Sequence, residues 1–261
     1  MDSEFSEFSY GYALTDELIH YHKTKLKVAP VFPSLYDEGA GKGYDLKLDR
    51  QNGIPLFLQF KVSHYMYGRN AKEFSIGTFA SPFYRMYITP RNISTQQKDL
   101  LALEMAGNSE VRYVAPAFHE LNSLDNFYLN HRVMENSLWV SPSFVEPTVD
   151  NQRHHVSFQL GIKPVRFSDS PMDIDKPFGF DGFQKDLINT FEKKSKSSLT
   201  LENLSKTLSL LESKMAQKYP QYKFEHPIKE DISPQGKLIT KIAFYSTFLM
   251  DTQMFIVQSY S

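Results

Sequence analysis

Residues 41–66 read GKGYDLKLDRQNGIPLFLQFKVSHYM, and they raise a question of burial. The segment 44–48 alternates, with Asp45 and Lys47 on one face and Tyr44, Leu46 and Leu48 on the other. Asn52-Gly53 is a strong hairpin turn signal. The segment 55–63 then reads as a second strand. Phe57, Gln59 and Lys61 share one face, and Leu56, Leu58, Phe60 and Val62 share the other. A lysine in such a run costs desolvation energy unless a partner answers its charge. Either the strand lies at an edge, or Lys61 belongs to a polar site.

Working outward, residues 8–26 read as a helix, with Leu14, Leu18 and Tyr21 at three-to-four spacing and Glu17 beside that stripe. Residues 28–43 carry the prolines and glycines of a loop, and GAGKG at 39–43 lacks the spacing of a phosphate-binding loop. Strands are expected at 83–89, 110–118 and 138–143. Helices are expected at 94–107, capped by Ser94 or Thr95 and closed by Gly107, and at 119–137. Beyond residue 165 the texture changes. A turn-rich connector leads to a helix at 183–194, capped by Asp181. A longer helix at 199–219 follows, where Leu201, Leu204, Leu208, Leu211 and Met215 step by three and four until Pro220. The segment after residue 236 reads as two strands around Asp251-Thr252.

The chain of 261 residues carries 41% hydrophobic and 23% charged residues, an ordinary globular composition with ample material for a core. Its net charge of −1 excludes a global basic field, so nucleic-acid contact needs a local patch; HYHKTKLK at 20–27 and KKSK at 193–196 are the basic runs. With no cysteine, there are no disulfides, thiol nucleophiles or thiolate metal sites, which fits a cytoplasmic setting. The acidic start lacks a signal-peptide pattern, and no apolar run reaches the roughly 20 residues a membrane helix needs.

The order helix with Glu17, strand with Asp45, strand with Gln59-Phe60-Lys61, strand, helix, strand resembles the PD-(D/E)xK nuclease superfamily. It is closest to the Mrr-like variant in which glutamine replaces the second acid (Q-x-K). Thirteen residues separate Asp45 from Gln59, and the lead-in G-K-G-Y-D resembles that group's glycine-rich approach to its aspartate. The resemblance covers residues 8–118. It implies an α/β fold with a mixed central sheet flanked by helices, restriction-endonuclease-like, over residues 1–165; the helices and terminal strands read beyond it make a smaller mostly helical part ending in a β-hairpin over 166–261. It further implies Mg²⁺- or Mn²⁺-dependent hydrolysis of DNA in bacterial defence against foreign, including viral, DNA. Asp45, Gln59 and the Phe60 carbonyl would hold the ion, with Glu17 approaching from its helix. Lys61 would orient the attacking water or stabilise developing charge.

A second reading stands beside it. Glutamine is a weak ligand, and nuclease-like folds also serve as non-catalytic binding or scaffold modules. That module would act through its C-terminal helices, where the stripe from Leu201 to Met215 would meet the same chain, a second copy or a protein partner. The two readings are separated by geometry: a nuclease needs Asp45, Gln59 and Lys61 converging in an open cleft.

Overall fold

The run IPLFLQF forms a strand whose residues 54–59 are all buried, and both of its edges are occupied. A strand covered on both faces reads as a continuous apolar run. That is why the two-faced alternation expected from the sequence does not appear there. The computed structural model describes residues 1–21, 53–90, 92–145, 153–167, 171–175, 178–194, 198–221 and 233–257. The expected strand at 44–48, with Asp45, and the expected loop at 28–43 lie outside the described residues.

In chain order the elements are α1 (Glu7–Tyr21), β1 (Ile54–Phe60), β2 (His64–Met66), α2 (Lys72–Ser75), β3 (Phe83–Ile88), α3 (Gln96–Met105), β4 (Glu110–Pro116), α4 (Leu121–Leu129) and β5 (Ser137–Val140). There follow α5 (Pro142–Val145), β6 (His154–Gln159), β7 (Ile162–Phe167), β8 (Pro171–Asp173), α6 (Phe180–Lys194), α7 (Leu201–Lys218), α8 (Pro234–Met250) and β9 (Gln253–Val257). The class is α/β: a four-stranded mixed sheet in the order β5-β4-β1-β9 and a five-stranded antiparallel sheet in the order β2-β3-β6-β7-β8, with helices alongside. No helix among the described residues is long and apolar enough to cross a membrane.

Contacts divide the chain into two units. The first comprises Met1–His22, Phe60–Gln97 and Arg112–Asp186; the second comprises Lys23–Gln59, Lys98–Val111 and Leu187–Ser261.

In the first unit, Tyr10, Leu14 and Leu18 put one buried stripe along α1, as their four-residue spacing requires. A Cβ on Gly11 would stand 3.0 Å from the Phe60 ring, so the glycine lets the helix backbone come close there. Helix α4 ends at Leu129, well short of the expected 137. His131 sits at φ 53°, a left-handed conformation that a helix cannot contain. The hairpin of β6 and β7 turns at Gly161, whose φ of 75° suits a residue without a Cβ.

In the second unit, Leu204, Leu208, Leu211 and Met215 of α7 are buried, and α7 packs against α8. Leu201 departs from the expected stripe and is 45% exposed at the first turn. Helix α8 replaces the first of the two expected terminal strands, so no terminal β-hairpin forms among the described residues. Its β-branched and aromatic residues suggested strands. Yet burial recurs helically at Ile239, Ile242, Ala243, Ser246, Leu249 and Met250, the Ser233 hydroxyl accepts from the Gly236 N–H, and Pro234 occupies the first turn. Asp251, at φ 54°, ends the helix, and β9 then pairs antiparallel with β1, from Ile54 opposite Val257 to Leu58 opposite Gln253. A Cβ on Gly53 would lie 2.7 Å from the Leu199 side chain and 3.3 Å from the Val257 carbonyl oxygen.

Candidate functional site

Lys61 is the first residue beyond β1, not a mid-strand residue. Its backbone N–H donates to the Val114 carbonyl (2.9 Å), and its half-buried ammonium donates to Gln96 Oε1 at 3.1 Å. Gln96 opens α3, so the lysine is answered by a neutral amide within its own unit. Gln59, inside β1, is 1% exposed. Phe60 is half-buried and meets Tyr10 edge-on, with ring centroids 6.0 Å apart.

Glu17 is 5% exposed on α1. Its Oε2 accepts the backbone N–H groups of Val133 (2.6 Å) and Met134 (3.2 Å). Burial pushes this carboxyl above its ordinary range, although the Met134 and Val133 donors oppose the shift. The carboxylate therefore closes the loop that follows α4. Among the described residues, no group of three His, Asp or Glu side chains is placed to hold a metal ion. Divalent magnesium asks for open, hard oxygen donors. Of the expected ligands, the Gln59 amide is sealed inside β1 and Asp45 lies outside the described residues, while Glu17, expected to approach the ion, is engaged with backbone donors.

Two other groupings are assembled by the five-stranded sheet. The first centres on Glu73 of α2, a fully buried carboxylate. Arg85 Nε donates to Glu73 Oε1 at 2.7 Å and the guanidinium reaches the second oxygen as well; the Ser157 hydroxyl donates at 2.6 Å, and His155 Nε2 lies 3.0 Å away. Arg85 and Ser157 sit opposite one another in the β3–β6 register, and Tyr87 opposite His155, so one sheet face gathers these groups. Burial alone would raise the carboxyl, but the His155, Arg85 and Ser157 donors outweigh it and hold it well below the usual carboxylate range. The His155 ring stacks on Phe167 (5.1 Å, 5°).

The second grouping is aromatic and lies at the edge strand β2. The Tyr65 ring stacks on His119 at 4.2 Å and 10° between planes, and lies 6.1 Å from the Tyr67 ring at 26°. Tyr84 approaches Tyr65 at 5.4 Å, and burial pushes its hydroxyl up to about 12, with Tyr65 and Glu120 beside it. Tyr67 is 60% exposed. A cavity of about 440 Å³ opens beside these rings, lined among others by Tyr65, Tyr67, Gly68, Asn70, Lys72 and Arg85. The sequence reading passed over this grouping. Its signal was the run HYMYGRNAK at 64–72, where aromatic and basic residues interleave. The Glu73 grouping had no local signal, because Arg85, His155 and Ser157 come from distant strands.

No family model, no curated protein and no solved structure matches this chain.

Proposed function

We propose that this chain is a non-catalytic binding protein built on a nuclease-like α/β frame. The observation that carries the reading is Gln59, the residue meant to face a metal, which is 1% exposed inside β1. The engagement of Glu17 with the Val133 and Met134 backbone supports it further, since that carboxylate is needed where it is. The binding surface belongs to the first unit in this reading. The α7 stripe that a partner helix would use packs on α8 instead.

One observation favours a second reading, metal-dependent hydrolysis of DNA in defence. Lys61 is held in a defined position by Gln96, two residues after Gln59, as the Q-x-K pattern requires. Supercoiled plasmid incubated with the pure protein and Mg²⁺ or Mn²⁺ separates the two. Plasmid left equally intact by wild type and Lys61→Ala is the expected result. Metal-dependent nicking that disappears in both Asp45→Ala and Lys61→Ala would overturn the binding reading and establish the second.

A further inference from the structure

We infer that the Tyr65–Tyr67 edge of the five-stranded sheet is a stacking site for single-stranded nucleic acid, which rests on the binding reading above. Tyr65 and Tyr67 are two residues apart at the end of an extended strand, a spacing that brings side chains out on one side. His119 backs Tyr65 in a parallel stack, fixing its ring before any ligand arrives. Tyr67 continues the array outward and leaves most of its ring to solvent. Such a preset aromatic surface accepts the flat face of any unpaired base.

The charge around it selects the ligand further. Arg69 is exposed on the turn that follows β2, exposed Lys72 opens α2, and Lys72 and Arg85 both line the cavity. Glu73 answers the charge of Arg85, so the surplus positive charge on the cavity wall comes from Lys72 and from the Met1 ammonium, which donates to the Tyr65 carbonyl, with Arg69 on the adjoining turn. That surplus suits a phosphate backbone passing beside stacked bases and gives a neutral sugar chain no advantage. Asn70 adds an amide with donors and an acceptor for a base edge. Gly68 has no atom within 4 Å of the point where a Cβ would stand, which keeps the turn open. The volume of about 440 Å³ falls within the ~300–1,000 Å³ typical of ligand sites.

Two other occupants fit less well. An added peptide strand would find only three residues in β2, and so few backbone hydrogen bonds. Duplex DNA has its base faces already covered by neighbouring pairs, so it cannot use the Tyr67 ring.

The test measures fluorescence anisotropy of fluorescein-labelled thymidylate and uridylate dodecamers, with a duplex of equal length and a neutral hexasaccharide as competitors. Tyr67→Ala, at an exposed position, should weaken single-strand binding roughly five- to 150-fold, the range for losing one base stack. Tyr67→Phe keeps the ring and should retain binding. Lys72→Gln should lower the slope of log affinity against log salt by about 0.7 for one lost phosphate contact. Melting curves of each variant confirm folding. The site is refuted if neither dodecamer binds, if Tyr67→Ala binds like wild type, or if duplex or hexasaccharide competes as well as free single strand. The plasmid experiment fails independently: cleavage would end the non-catalytic reading without altering dependence on Tyr67, and loss of this site would leave that reading standing.

Discussion

Replacing Glu73 with alanine tests whether the five-stranded sheet depends on one buried carboxylate. Glu73 is fully buried, and its partner Arg85 is only 15% exposed in the side chain, so the variant leaves a guanidinium with little water and no counter-charge. Removing one partner of a buried ion pair costs about 3–5 kcal/mol. The Ser157 hydroxyl and His155 ring lose an acceptor at the same time, but these effects share one network and do not simply add. For a chain of this size a kilocalorie moves the melting temperature by roughly 2–4 °C, so the expected fall is roughly 6–20 °C at neutral pH. The pH dependence follows from the depressed carboxyl. Its contribution is complete above its unfolded value of about 4.3 and is lost as pH falls below that value through the folded one. Wild type and variant should therefore differ most above about pH 5 and converge in acid. Differential scanning fluorimetry across pH reads both effects. The double variant Glu73→Leu with Arg85→Met, which removes both charges, should recover much of the loss. A Glu73→Ala protein melting within about 2 °C of wild type at neutral pH, or with a deficit unchanged in acid, would refute the reasoning.

Glu17→Ala strands two buried backbone N–H groups and should cost about 1–3 kcal/mol for each, read as a lower urea midpoint. Glu17→Gln keeps an acceptor. Because burial raises the native carboxyl, wild type loses stability as pH rises through the folded value, so the amide variant should gain on wild type from pH 4 toward neutrality. Leu208→Asp places a carboxylate in the α7–α8 seam, costing several kcal/mol; far-UV circular dichroism should show helix loss, and an unchanged spectrum and melt would mean the seam is not closed. Gly53→Ala drives a methyl toward Leu199 and the Val257 carbonyl and should cost about 1–3 kcal/mol in urea unfolding.

The elements with strong local signals were legible. Strand β3 and helix α3, with the Ser94 hydroxyl accepting from the Gln96 N–H, lie close to where alternation and capping put them, and α7 follows its leucine spacing from Thr200, whose side chain caps it. Helix α8 was misread because Ile, Phe, Tyr and Thr carry strand propensity, while burial against α7 decides the outcome. The candidate site was less legible. Asp45 lies outside the described residues, and the sequence gives Glu17 and Lys61 the right chemistry without revealing their partners, Val133, Met134 and Gln96. The Glu73 grouping joins residues 12 to 84 positions apart, a pairing that no local pattern announces.

The antiparallel pairing of β1 with β9 has a consequence during synthesis. Ile54 finds Val257 only after the ribosome has added roughly two hundred further residues, tens of seconds at ordinary elongation rates. Through that interval one edge of a strand whose residues 54–59 all end up buried waits with its backbone polar groups unmatched, a template for any passing strand. The nascent chain is thus most prone to association between the emergence of β1 and that of β9. Release of a product truncated before Gln253 would make that interval permanent.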